Sequence, residues 1–154
     1  MSALSPSSDR RPIAGRPPLW YVAVVTGGLA WNAYGAVQFA GAVRATEQSL
    51  IASGLTAEQA AVMTGYPAWM TVAFALGVAG GLVGSALLAL RHGFARPVLA
   101  ISLIAYVGLW IGDAVHGVFA ALGTPQVVIL TLVVAIAAGL LTVSMHPAAT
   151  RARG

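Results

Sequence analysis

The stretch AWMTVAFALGVAGGLVGSALLAL, from Ala68 to Leu90, holds 23 residues and not one charge. A helix of that length rises about 35 Å, enough to cross the roughly 30 Å of hydrocarbon in a bilayer. Three more segments share its character: Leu19 to Gly41, Val98 to Ala120 and Gln126 to Met145. Composition agrees, with 58% hydrophobic and 8% charged residues. A soluble domain carries about 25% charged residues. This chain cannot cover itself with polar groups, so lipid is its expected solvent.

The fold expected is all-α, an integral membrane four-helix bundle. Neighbouring helices are expected to run antiparallel, joined by short loops and one longer outer loop that holds a short helix. Prolines mark the starts: Pro17-Pro18, Pro67, Pro97 and Pro125 each stand at the head of a span. A first helical turn tolerates the missing N–H. Pro147 follows span four and helps to stop it. The first apolar stretch is too long for the 7–15-residue core of a signal peptide, so it is expected to remain as a span.

Charge sets the expected orientation. Arg10, Arg11 and Arg16 precede span one, Arg91 and Arg96 separate spans two and three, and Arg151 and Arg153 follow span four. With alternating helices these arginines share one side. The other side has Arg44, Glu47 and Glu58. The positive-inside rule therefore predicts both termini in the cytoplasm, with the protein in a bacterial plasma membrane. Trp20, Tyr21, Tyr66 and Trp69 suit the interfacial belts, while Trp31 and Trp110 lie deeper.

Residues 1–17, rich in Ser, Pro and Arg, are expected to form a disordered cytoplasmic tail. Residues 18–146 form the membrane domain, and residues 147–154 a second cytoplasmic tail. In the outer loop, residues 42–66, RATEQSLIASG is expected to prolong span one as far as Gly54. Thr56 and Gln59 then fit a capping box that opens a short helix ending at Gly65.

Helical geometry sorts the faces. Gly77, Gly80, Gly81 and Gly84 fall within an arc of about 100° on span two. That glycine face lets another helix approach closely. On span three, Ser102, Tyr106, Asp113 and His116 form a polar stripe about 80° wide. Asp113 is expected about six residues, or about 9 Å, below the outer end of its span. A charge at the centre of a span costs about 2.5–3.5 kcal/mol on insertion scales. Asp113 is therefore expected to be hydrogen-bonded to His116, Tyr106, Asn32 or Arg44, or to be protonated. Asn32, Ser102, Tyr106, Asp113 and His116 thus make a candidate intramembrane polar site. It can be read as a polar staple between helices, where one bond averages about 0.6 kcal/mol. It can also be read as a proton or solute site.

Other chemistries find little support. The chain has no Cys, which excludes disulfides and thiolate metal sites. No Ser-His-Asp spacing, phosphate loop or HExxH helix is present, so no enzymatic activity is expected. His92 and His146 are expected near the cytoplasmic boundary, and no metal or other cofactor is implied. No basic stripe with interleaved aromatics points to nucleic acid.

WNAYG (Trp31 to Gly35), LTAEQAAVMTGYPAW (Leu55 to Trp69) and FALGVAGGLVGSALLALRHGFARPVLAISL (Phe74 to Leu103) resemble a family of small bacterial four-span membrane proteins often labelled "sugar transporter". The Trp-Asn pair, the Pro-Ala-Trp start of span two and its Gly-Ser-x-Leu-Leu end carry the resemblance, which covers roughly Trp31 to Leu103. It implies a carrier of a small polar solute. Four close-packed spans leave little room for a sugar, so a homo-oligomer is expected. The family defines no binding residues to transfer. The other expectation is a non-transporting membrane subunit, or an assembly or stability partner of another membrane protein.

Overall fold

The computed structural model describes residues 17–150, and the side chain of Thr150 is not part of that description. The disordered tail expected over residues 1–17 therefore lies outside it, apart from Pro17, as do Arg151 and Arg153. The chain runs α1 (Leu19–Ala42), α2 (Glu47–Ala52), α3 (Ala57–Thr64), α4 (Ala68–Ala89), α5 (Ala95–Val115), α6 (Val118–Leu122), α7 (Thr124–Ser144) and α8 (Pro147–Thr150). No strand occurs among the described residues.

Helices α4, α5 and α7 are long and apolar enough to cross a membrane. By length and composition this is a membrane protein. Its outward surface agrees: Leu76 and Val83 on α4, Ile104 and Ile111 on α5, and Val128 and Ile129 on α7 are all large, apolar and exposed. A soluble monomer rarely presents such a surface. The first helix, α1, has 24 residues but falls short of the other three in apolarity. Its Trp20, Tyr21, Trp31, Asn32, Tyr34 and Gln38 account for the difference, since none is a fully apolar side chain.

Helix α4 lies at the centre of the assembly, with α5 along one side and α1 along the other. Its glycines are filled by neighbours. A Cβ added at Gly77 would lie 2.7 Å from the Tyr106 ring, one at Gly80 3.0 Å from Ser102, and one at Gly84 2.6 Å from Leu99. Gly81, at the edge of the same arc, receives the Asn32 amide from α1 instead. The α4 to α5 contact extends to Gly112, which lies against Trp69 and Met70. The core forms in three patches along the helices. One gathers Tyr21, Leu88, Leu99 and Leu140, a second Val78, Tyr106 and Ala137, and a third Met70, Leu109 and Leu130.

Two expected boundaries are corrected. Helix α1 does not continue toward Gly54. It ends at Ala42, and α2 starts afresh behind its own capping box: the Thr46 hydroxyl accepts from the Ser49 N–H at 3.2 Å, and the Ser49 hydroxyl accepts from the Thr46 N–H at 2.9 Å. Ser, like Gln, can fill the reciprocal position of this motif. Helix α5 stops at Val115 rather than Ala120, because Gly117 adopts φ 75°. Only glycine takes that left-handed conformation without strain, and it ends helices for that reason. The Thr56 and Gln59 box forms as the spacing predicts, with bonds of 3.2 and 3.0 Å. The Gln59 amide also donates to the Ala121 carbonyl at 3.0 Å, tying α3 to α6. Pro97 lies inside the first turn of α5, where its absent N–H leaves no partner unsatisfied.

Candidate functional site

The polar residues of the bundle separate into two groups at different levels. The inner group is spent on helix contacts. Ser102 donates its hydroxyl to the Gly77 carbonyl at 2.6 Å. Asn32 donates to the Gly28 carbonyl of its own helix at 2.8 Å and to the Ser85 hydroxyl at 3.4 Å. Tyr106 is buried with its ring against Gly77. The crevice lined by Trp31, Asn32, Gly81, Ser102, Tyr106 and Ala137 has no room for a water molecule. These bonds are those of a polar staple, in which lipid-inaccessible groups satisfy one another.

Asp113 belongs to a second group, at the end of α5. Its side chain is 1% exposed. Gln126 donates its amide to Oδ2 at 2.9 Å. The Tyr66 hydroxyl is the other hydrogen-bonding neighbour of this carboxyl group. Oδ1 is buried and has no partner in full hydrogen-bonding geometry. None of the four partners expected from sequence is on Asp113. Asn32 and Tyr106 belong to the inner group, and Gln126 and Tyr66 take the role foreseen for His116 and Arg44. His116 is exposed just past the end of α5, its ring 6.1 Å from that of Trp69.

Local sequence explains how these side chains meet. Gly117 ends α5 two residues after Val115, and the five-residue α6 and Gly123 turn the chain into α7. Gln126 therefore sits in the first turn of α7, beside the last turn of α5. The N-terminal end of a helix carries partial positive charge, which suits a neighbouring carboxylate. Tyr66 comes from the short link between α3 and α4. Burial, followed by the charge and hydrogen bond of Asp113, pushes the Tyr66 phenol above its ordinary range. Tyr66 thus stays protonated and can donate.

Beside this cluster opens a pocket of about 320 Å³. Tyr66 and His116 form its polar lining, and the walls are small or apolar, including Val62, Pro67 and Val118. Tyr66 touches both the pocket and Asp113, so it is the partition between them. Gln126 and Tyr66 were not singled out as site residues by sequence. Gln126 reads as part of a helix start, and Tyr66 as an interfacial aromatic. The signal for Gln126 was an amide placed at the same end of its helix as Asp113.

No protein-family model matches the chain, and neither do any curated proteins or solved structures. Geometry must therefore carry the functional reading. Among the described residues no three His, Cys, Asp or Glu side chains gather to hold a metal ion. His92 and His146 serve the chain locally: their Nδ1 atoms accept from the N–H groups of Phe94 at 3.3 Å and Ala148 at 3.2 Å. His146 also lies edge-on to Trp20, with ring centroids 5.0 Å apart.

Proposed function

We propose that this is a four-span protein of the bacterial plasma membrane that takes up a small polar solute at its outer end and carries it as a homo-oligomer. Helix α1 is the fourth span, since its 24 residues include no charge. Neighbouring spans run antiparallel. The contact order supports this, because Gly84, Gly80 and Gly77 meet Leu99, Ser102 and Tyr106 in turn. Both termini are cytoplasmic, as the clustered arginines favour. The resemblance to proteins labelled "sugar transporter" points the same way.

The observation that carries the solute reading is Asp113, buried with one free oxygen beside an open pocket. In the inner group the Ser102 hydroxyl and the Asn32 amide nitrogen each donate to a partner, whereas the buried Oδ1 of Asp113 accepts from none. Ionisable groups at membrane depth that lack saturation are commonly functional. The closed central crevice is why an oligomer is required, with the path running between copies rather than through one.

The same closed crevice favours a second reading, a non-transporting subunit or stability partner. Reconstituted vesicles separate the two. Solute or proton flux with wild type, lost with Asp113→Asn, supports the carrier. No flux with either, together with a second membrane protein that stays bound through purification in mild detergent, supports the partner.

A further inference from the structure

The chemistry of the outer pocket narrows the solute, and this step rests on the cluster being a solute site. A sugar presents hydroxyl groups on every side. Each one buried without a partner costs about 1–3 kcal/mol. Here the lining offers two polar side chains, Tyr66 and His116, and the rest of the wall is small or apolar. Such a surface matches a solute with one polar end and an apolar body.

The sign of charge is set by Asp113. It is the one acidic residue of the cluster, and no arginine is among its interaction partners. Gln126 occupies Oδ2 only, which leaves Oδ1 as a buried acceptor with no donor in full hydrogen-bonding geometry. A buried carboxylate oxygen is best satisfied by a cationic donor. The Tyr66 ring adds an aromatic face, which attracts a cation. The volume of about 320 Å³ admits a small molecule with room to spare.

We propose that the outer pocket binds a small alkylammonium ion. Its charged head rests on Oδ1 of Asp113, and its alkyl body lies against Val62, Pro67 and Val118. The Tyr66 side chain, which stands between the pocket and Asp113, swings aside to admit the head. His116 stands at the rim and does not hold the charge.

The test uses the purified full-length protein in detergent, with the unfolding midpoint followed by tryptophan fluorescence. n-Butylammonium chloride is titrated against sodium chloride and against glucose at the same concentrations. The midpoint is expected to rise and saturate with butylammonium alone. In Asp113→Asn the concentration needed is expected to increase by about tenfold or more, as for loss of one member of a buried charge pair. Val62→Trp fills the pocket without touching the carboxyl group and is expected to abolish the shift. That variant keeps the test decisive if Asp113→Asn does not fold. A saturating shift with glucose, or an equal butylammonium shift in wild type and both variants, overturns the proposal. Flux is scored separately. Butylammonium binding without flux of any solute removes the carrier reading and upholds this site. Glucose flux without butylammonium binding upholds the carrier and removes the ammonium.

Discussion

The Gln126 amide donates to Oδ2 of Asp113 at 2.9 Å, bonding the first turn of α7 to the last turn of α5. The carboxyl group it holds is 1% exposed. Replacing only the donor leaves a buried acceptor that nothing satisfies. Gln126→Leu is therefore expected to destabilise the protein by about 1–3 kcal/mol. Ser102→Ala, which removes one interhelical bond, is expected to cost only about 0.6 kcal/mol. The double variant Asp113→Leu with Gln126→Leu is expected to regain most of the loss, because both polar groups leave together. Unfolding in detergent, followed by circular dichroism, measures all three.

The α4 glycines Gly77, Gly80, Gly81 and Gly84 each have something to collide with, as do Gly28 on α1 and Gly112 on α5. A Cβ at Gly77 meets the Tyr106 ring, and one at Gly84 meets Leu99. Gly77→Ala and Gly84→Ala are each expected to destabilise by about 1–3 kcal/mol, as overpacked cores do. Gly139, on α7, has nothing within 4 Å of an added Cβ. Gly139→Ala is expected to be neutral, or to stabilise by up to about 1 kcal/mol through helix propensity. Equal losses at all three positions would contradict the contact pattern, and the same unfolding assay decides.

The long helices were legible because hydropathy and proline speak locally. The stretch Ala68 to Leu90 and the helix Ala68–Ala89 differ by one residue. Hydropathy carries span three too far because Gly117 lies in a stretch that stays apolar on average despite Asp113 and His116, and hydropathy does not register φ. The surroundings of Asp113 were hidden for the same reason. A continuous helix would have put His116 one turn beyond Asp113 on the same face. The break instead turns the chain back, so Gln126, thirteen residues on, reaches the carboxyl group. Tyr66 comes from a distant link, and no periodicity could place it there. By contrast, Asn32 and Ser102 lie on helix faces that sequence could compute, and both bond where helices touch.

Tyr66 makes a prediction in alkali. Burial and the adjacent Asp113 charge raise its phenol above the ordinary value of about 10. The folded state then holds the proton more tightly than the unfolded state. The stabilisation is complete below the ordinary phenol pKa and is lost as pH rises through the raised folded value. Between those limits, wild type is expected to lose stability relative to Tyr66→Phe. Absorbance at 295 nm gives a direct check. Near pH 10 the folded wild type and Tyr66→Phe are expected to show the same phenolate signal. A difference of about half a tyrosine there, the ionised share of a phenol with the ordinary pKa, would place Tyr66 in water.

The orientation can be tested cleanly because the chain has no Cys. A single cysteine is then the only thiol that a maleimide can find. Ser53 follows α2, and Gly93 lies in the turn between α4 and α5; both are exposed. With four spans and cytoplasmic termini, the two lie on opposite sides of the membrane. Ser53→Cys is expected to react with a membrane-impermeant maleimide on intact cells. Gly93→Cys is expected to react only after the cells are permeabilised. On that topology the two arginines near the turn, Arg91 and Arg96, are what would hold it inside. Changing both to Glu in the Gly93→Cys background is therefore expected to raise its labelling on intact cells. Labelling of Gly93→Cys from outside without that change would invert the topology and move the Asp113 pocket to the cytoplasmic face.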